Sequence, residues 1–517
     1  MSDKNRPMMG VGVTTGKTPV AKSEQSAGAL TNPDSPFCIA VMGDFSGRGN
    51  QLASGLEIKP LANSRFIDVD RDNFEEIIAS FKISLKLHIG DDIVEVNINE
   101  LDDFHPDELY ENLESFSRLR SLRRRLKSNK TFSEAAEEIQ SWLPVKQEGK
   151  ELTENNTEAS ASIEAPSDNL LDDILGSHQQ TAGSTSSEAT HIDKLIRSIV
   201  APYVEPAKDP RQDEMLVMLD VVTANHMRDI LHHDDFQALE SAWQSLYFLI
   251  KRLDTDSKLK IILLDVSKQE LQADLAVDDI STSVMYKKFC DRAEGDLPWS
   301  VLLGNYQFSD SIDDVLSLAN IGAIAEQAGA PFLSSANERL AGCESFSTTP
   351  DYEDWQYEIS TGTRDAWKML RQSSVASFIG LALPRFLLRL PYGKKSKPVE
   401  SFQFEEMPEQ HCHECYLWGN AAFLKVELMA RNFKKQGWNM QLREEFQTDN
   451  LPVHYYTDDG ETVSKPVAEV YLTEKAGEIL NNSGLMTLWS VKNMDSIRSA
   501  GYDSVDENSL EISGRWQ

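Results

Sequence analysis

Apolar residues along this chain fall into short runs separated by stretches with helical spacing. Phe37 to Met42 is apolar throughout and ends at Gly43, so it reads as a buried strand. Phe66 to Asp70 starts a second extended piece. Asn73 to Phe81 carries Phe74, Ile77, Ile78 and Phe81 at intervals of three and four, the signature of one helix face. Ile83, Leu85, Leu87 and Ile89 then alternate with polar residues, and Ile93, Val94, Val96 and Ile98 nearly do so. Gly90-Asp91 between the two stretches predicts a hairpin, because both residues tolerate the backbone of a tight turn. A single long helix is predicted next. Pro106 sits near its start, and Leu109, Leu113, Phe116, Leu119, Leu122 and Leu126 form its apolar stripe. Its far end is basic (Arg118, Arg120, Arg123, Arg124, Arg125, Lys127), which complements a helix C-terminus. That face reads as solvated, with docking of an acidic neighbour as the alternative.

Residues 144–190 lose this pattern. They are rich in Glu, Ser, Thr, Asn and Ala and read as an acidic disordered linker; residues 1–34 read as a disordered N-terminal arm. One island interrupts the linker at 168–176. There Leu170, Leu171, Ile174 and Leu175 share one face of a short amphipathic helix, capped by Asp168 or Ser167 and stopped by Gly176. It either docks a partner or folds back on its own domain. From His191 onward helices and strands alternate. Helices are predicted over Glu214 to Ile230, Phe236 to Arg252 and Ile312 to Ala328. Strands are predicted at Lys260 to Val266, Ser300 to Tyr306, Pro331 to Leu333 and Ser377 to Leu383. Strands that are apolar on both faces and alternate with helices imply a mixed α/β fold, with a sheet covered by helices. The expected order is a small N-terminal α/β module over 35–143, the linker, and a larger helix-covered sheet domain over 191–517.

Charge narrows the partners. Against 51 basic residues stand 83 acidic ones, a net charge of −32. Such a field disfavours nucleic acid and anionic lipid and suits a basic protein surface. No apolar run reaches the roughly 20 residues of a membrane span, and the first 30 residues lack a signal-peptide core, so a cytoplasmic location is expected. Five cysteines, an odd number, fit reduced thiols better than a disulfide framework.

Candidate chemistry is sparse. His411, Cys412, His413 and Cys415 are soft metal ligands, but neighbouring residues cannot all turn toward one tetrahedral ion. His232-His233 reads as a capping or packing pair at a helix start. Gly43 to Gly49 follows a strand and is Gly-rich, yet it lacks the Lys-Ser/Thr of a phosphate loop, and no clear helix opens at its end. No nucleophile–base set is evident, and no cofactor is expected. In Pro384 to Gly393 two prolines bracket apolar residues with Arg385 and Arg389 among them. An arginine buried there needs carboxylate or backbone acceptors, because an isolated buried charge is very costly. A structural arginine network, an intersubunit contact and an anion site are the readings of that stretch, in that order.

Two sets of motifs carry a resemblance. Met42 to Gly47, Arg65 to Phe74 and Leu101 to Pro106 (LDDFHP) resemble the small subunit of the type VI secretion contractile sheath. Ile230 to His233 with Phe236, Leu239, Glu240, Ala242 and Trp243, then Leu264 to Lys268, Gly304 to Phe308, Gly380 to Gly393, and Tyr416 to Asn420 with Ala422 and Phe423 resemble the large subunit. The resemblance implies a non-enzymatic assembly component that works through contacts between subunits. It implies other sheath subunits or further copies of the chain as partners, along with inner-tube or baseplate proteins and a disassembly ATPase. Trp243, Trp418, Arg385, Arg389 and the apolar face at 168–176 are the structural or interface candidates. In the family the large subunit continues further, so this chain reads as truncated at its C-terminus, with only a short tail after Glu474. An accessory that does not itself polymerise is therefore the alternative, and a metal-dependent enzyme is a remote one.

Overall fold

The computed structural model describes residues 34–55, 60–142, 211–291, 297–349, 351–407, 412–458 and 460–516. The linker with its helix at 168–176, including Leu170, Leu171, Ile174 and Leu175, lies outside the described residues, as does the arm up to residue 33. Among the described residues no helix is long and apolar enough to cross a membrane.

The chain opens with β1 (Phe37–Gly43), followed by the short α1 (Arg48–Ala53), β2 (Ile67–Val69), α2 (Phe74–Phe81) and the hairpin β3 (Ile83–Ile89) and β4 (Asp92–Ile98). Gly90 turns that hairpin with φ +60°, a left-handed conformation that favours glycine. The single helix expected from Pro106 is two. α3 (Pro106–Asn112) ends where Leu113 turns extended (ψ 134°); a 3-10 turn at Glu114–Phe116 follows, and α4 (Ser117–Lys127) begins after it. All six residues of the expected stripe are buried. A 3-10 turn repeats every three residues, so the apolar spacing passes through the break and hides it in the sequence.

α5 (Phe132–Trp142), α6 (Gln212–Leu231) and α7 (Asp234–Arg252) come next. Then follow β5 (Leu259–Asp265), α8 (Lys268–Leu275), α9 (Val284–Phe289), β6 (Val301–Phe308), α10 (Ile312–Ala328), β7 (Phe332–Ala336), α11 (Thr361–Arg371) and β8 (Ile379–Leu383). The last part holds the two-residue strands β9 (Phe386–Leu387) and β10 (Trp418–Gly419), α12 (Ala421–Gln436), β11 (Gln447–Thr448) and the hairpin β12 (Tyr455–Asp458) and β13 (Glu461–Ser464). It closes with α13 (Glu474–Asn482), β14 (Leu485–Ser490) and β15 (Ile497–Ser499). The residues after Glu474 are thus not a tail: β14 pairs in parallel with β8 through Leu485↔Leu381 and its neighbours.

Nine strands form one sheet in the order β11-β15-β14-β8-β7-β6-β1-β5-β2. The six from β14 to β5 run parallel, and β2, β15 and β11 add antiparallel edges. β1 lies inside the sheet. It matches β5 along its whole length, from Phe37↔Leu259 to Gly43↔Asp265, and β6 from Ile39↔Val301 to Met42↔Gly304. All seven of its residues are buried, as a strand covered on both faces requires. Phe37 packs on Phe433 of α12, with ring centroids 5.0 Å apart. Cys38, Ala40 and Met42 point the other way, into a core shared with Leu318, Ile321 and Ile324 of α10. The small-subunit-like segment therefore supplies a central strand to the sheet of the large-subunit-like segment.

The chain forms two compact units. One joins the residues up to Ser115 with those from Ala224 on and holds the sheet; the other spans Phe116–Thr223. In the second unit three of the basic residues of α4 are paired within the unit. Arg118 and Arg125 bind Glu138 of α5, Arg123 binds Asp220 of α6, and Gln212 Nε2 donates to the carbonyl of Leu126 at 2.5 Å.

Candidate functional site

A crevice of about 730 Å³ opens at the carboxyl ends of β1, β5, β6 and β7. That is where open α/β sheets leave room between diverging loops. α7 forms one wall, and the segment from Glu414 to Asn420 forms another.

The floor is built from the Gly-rich turn after β1. A short helix does open there, contrary to the sequence expectation. Its free amides are taken internally: Asp44 accepts the amide of Arg48 at 2.6 Å and that of Gly49 at 2.7 Å. The donors a phosphate would need are thus occupied by the chain's own carboxylate. Asp265, at the end of β5, accepts the amides of Phe45 (2.8 Å) and Ser46 (3.2 Å) and the Ser46 hydroxyl (2.6 Å). Burial pushes its carboxyl up to about 6 against the Ser46 hydrogen bond. Arg48 forms a two-toothed pair with Glu270, which also caps α8 by accepting from Ser267. Lys268 reaches Asp314 and the Gln307 carbonyl.

β6 explains the Gly304-Asn305-Tyr306 motif. Its pairing with β7 slips between Leu303 and Gln307. The carbonyls of Gly304 and Tyr306 turn instead to the side chains of Ser334 and Asn420. Asn420 also caps α12 by accepting the Ala422 amide at 2.9 Å. A Cβ at position 304 would lie 2.6 Å from the Phe332 ring, so only glycine fits there.

Two arginine knots stand beside the crevice, both from the Pro384 to Gly393 stretch. Arg389 is sandwiched between two buried carboxylates. It donates to Glu240 of α7 (2.6 and 3.2 Å) and to Glu406 (2.8 and 3.1 Å), and Glu406 also accepts the Tyr392 amide at 2.7 Å. Burial would raise both carboxyls. The Arg389 charge, with hydrogen bonds from Arg389 and the Tyr392 amide, holds Glu406 down to about 2, whereas burial prevails at Glu240 and leaves it raised. Arg385 clasps Glu469 through its amide (3.0 Å) and guanidinium (2.5 and 3.0 Å) and reaches Glu414 at 3.3 Å. Burial would raise Glu469 too; the charge of Arg385 and hydrogen bonds from His413 and Arg385 hold it at about 2. Glu240 lies in a motif of the resemblance without being marked there as an ion-pair partner, and Glu406 and Glu469 carry no sequence signal beyond the need of a buried arginine for one.

These values carry a pH prediction. Glu469 titrates near 2 folded against 4.5 unfolded, so its ionised form stabilises the fold above pH 4.5. That contribution is lost as pH falls from 4.5 toward 2, and amounts to roughly 3 kcal/mol. Urea denaturation across this window should show the acid limb, and Glu469→Gln should reduce its slope by the Glu469 share while the share of Glu406 remains.

Trp243 is fully buried and donates its Nε1–H to the Phe45 carbonyl at 2.9 Å; the rings of Phe45, Phe74 and Phe81 surround it. Trp418 is buried, donates to the His413 carbonyl and pairs with Leu387 across β9 and β10. His233 caps α7 through Asp235, and His232 Nε2 lies 3.7 Å from Glu406.

The metal candidates come apart. His411 is outside the described residues. His413 spends both ring nitrogens, on Glu469 at 3.0 Å and Lys465 at 2.8 Å. Cys412 and Cys415 are joined as a disulfide, against the expectation of reduced thiols. An odd cysteine count cannot reveal such a local pair, whose Cα atoms a single turn brings to 5.2 Å. Among the described residues no group of three or more His, Cys, Asp or Glu could hold a metal ion.

Of the charged residues lining the crevice, Asp44, Asp235, Lys268, Arg385 and Glu414 have partners within the chain. Comparison with known proteins points the same way. Residues 213–506 match the VipB family, described as a tail sheath N-terminal domain, and residues 22–156 match the VipA family of the type VI secretion system. The chain is 33% identical over 305 residues to the type VI secretion system sheath protein TssC1 of Pseudomonas aeruginosa, covering 57% of this chain and 61% of that relative.

Proposed function

Because this chain belongs to the tail-sheath family of type VI secretion, we propose that it is a structural building block of such a sheath, working through contacts with neighbouring subunits. One observation carries the reading. Segments that match the two sheath families are continuous here, and the first threads its strand β1 into the middle of the sheet of the second. A subunit built this way resists shear between its two parts, since pulling out β1 would break both neighbouring ladders at once.

The charge fits the role. At −32 the chain repels its own copies unless basic patches are brought against acidic ones, so assembly should depend on salt. Its partners in this reading are further copies of itself or other sheath subunits. Sedimentation of the full-length protein tests the reading. It should pellet as a high-mass polymer, alone or with sheath subunits of the same apparatus. Failure to pellet under either condition would leave the role of a non-polymerising accessory.

A further inference from the structure

Cys412-His413-Glu414-Cys415 is not used by any contact between subunits invoked above, and its surroundings give it a chemistry of its own. The two cysteines lie three residues apart on one turn, with Cα atoms 5.2 Å apart, inside the range a disulfide spans. Both are partly exposed, whereas Cys38 and Cys343 are buried. Burial pushes the Cys343 thiol up to about 11 and the partly buried Cys290 thiol up to about 12, which leaves them poor nucleophiles.

The turn also holds other parts in place. Between the cysteines, His413 bridges Lys465 and Glu469, and Glu414 reaches Arg385. The His413 carbonyl accepts the Trp418 indole N–H at 2.9 Å. Glu414 and Trp418 form one lip of the crevice, and the Glu414 carbonyl accepts from Gln237 of α7 at 3.2 Å. The covalent state of the cysteine pair thus bears on the Arg385 knot and on the crevice lip together.

We propose that Cys412 and Cys415 form a reversible thiol–disulfide exchange site for low-molecular-weight disulfides and thiols, and that closing the pair stiffens the crevice lip. In the forward direction one cysteine thiolate attacks a sulfur of a small disulfide RS–SR. A mixed disulfide forms and one RS⁻ leaves. The second cysteine thiolate then attacks the cysteine sulfur of that mixed disulfide, closes Cys412–Cys415 and releases the second RS⁻. The two cysteines lose two electrons to the small disulfide, and their two protons end on the released thiols. A small dithiol reverses the sequence.

The test uses the native full-length protein in glutathione buffers, with alkylation and mass mapping of each cysteine. Oxidised glutathione should lower alkylation of Cys412 and Cys415 together by at least about tenfold, and dithiothreitol should restore it. Cys38 and Cys343 should not change. Cys412→Ser should trap Cys415 as a glutathione adduct. Hydrogen exchange at the amides of Cys415 and Tyr416 should quicken on reduction of the wild type and be insensitive to reductant in Cys412→Ser. Two freely alkylatable cysteines at every glutathione ratio, or mixed disulfides that never close, would overturn the site. Identical exchange at 415–416 in the two redox states would overturn its link to the lip.

Discussion

Replacing Arg389 with methionine should cost the fold about 3–5 kcal/mol, because it leaves two buried carboxylates without their partner. Arg389 is 9% exposed, and the two carboxylates it serves, Glu240 and Glu406, are 0% and 1% exposed. Methionine fills much of the same volume, so the loss would come from charge and not from a cavity. Without the guanidinium the two buried carboxylates must take up protons or draw in water, and either costs stability. A second variant separates the causes. Arg389→Met combined with Glu240→Gln and Glu406→Gln removes the stranded charges and should recover at least half of the lost stability in urea melts. If the triple variant is no better than the single one, the Arg389 knot is packing and not charge pairing.

The second large effect concerns β1. Expressed alone, residues 211–517 would carry β5 and β6 with the strand between them missing. β5 would lose seven register partners and β6 four, leaving two long apolar edges inside what should be a continuous sheet. Soluble yield should fall by about tenfold or more through edge-to-edge aggregation. Co-expression with residues 1–142 should restore a soluble complex that does not separate on gel filtration. A 211–517 piece that stays soluble and melts like the full chain would show that β1 is a dispensable addition to the sheet.

Both predictions rest on features that the sequence discloses unequally. The strand at Phe37 to Gly43 is legible because a strand buried on both faces must be apolar at every position. Ile312–Ala328 has helical spacing and matches its expected bounds. What period and polarity cannot convey is partnership. Nothing in Phe37 to Gly43 says that its neighbours are residues 259–265 and 301–304, more than two hundred positions away. The α3–α4 break is invisible for a related reason, since the 3-10 turn leaves the apolar spacing intact. β14 was hidden in an apparent tail. Asn481 to Gly484 is a turn signal and Leu485 to Trp489 a short apolar run, but Thr487 and Ser490 blur the pattern.

The candidate site divides along the same line. A motif such as Gly380 to Gly393 announces that its arginines need acceptors. It cannot pair them with Glu240, which a separate motif contains, nor with Glu406 and Glu469, which look like any of the 83 acidic residues of the chain. The soft residues at 411–415 are only weak metal candidates in the sequence, because their spacing is wrong for a tetrahedral site, but the sequence does not say where they turn instead. In the fold, His413 turns into an ion-pair network and the cysteines turn to each other.

Electron microscopy of the purified full-length protein, alone and mixed with sheath subunits of a type VI apparatus, bears most directly on the proposed role. Helical tubes or rings that contain this chain as a repeating subunit are the expected result. Solitary particles under both conditions, with tubes forming only from the other subunits and excluding this chain, would contradict it.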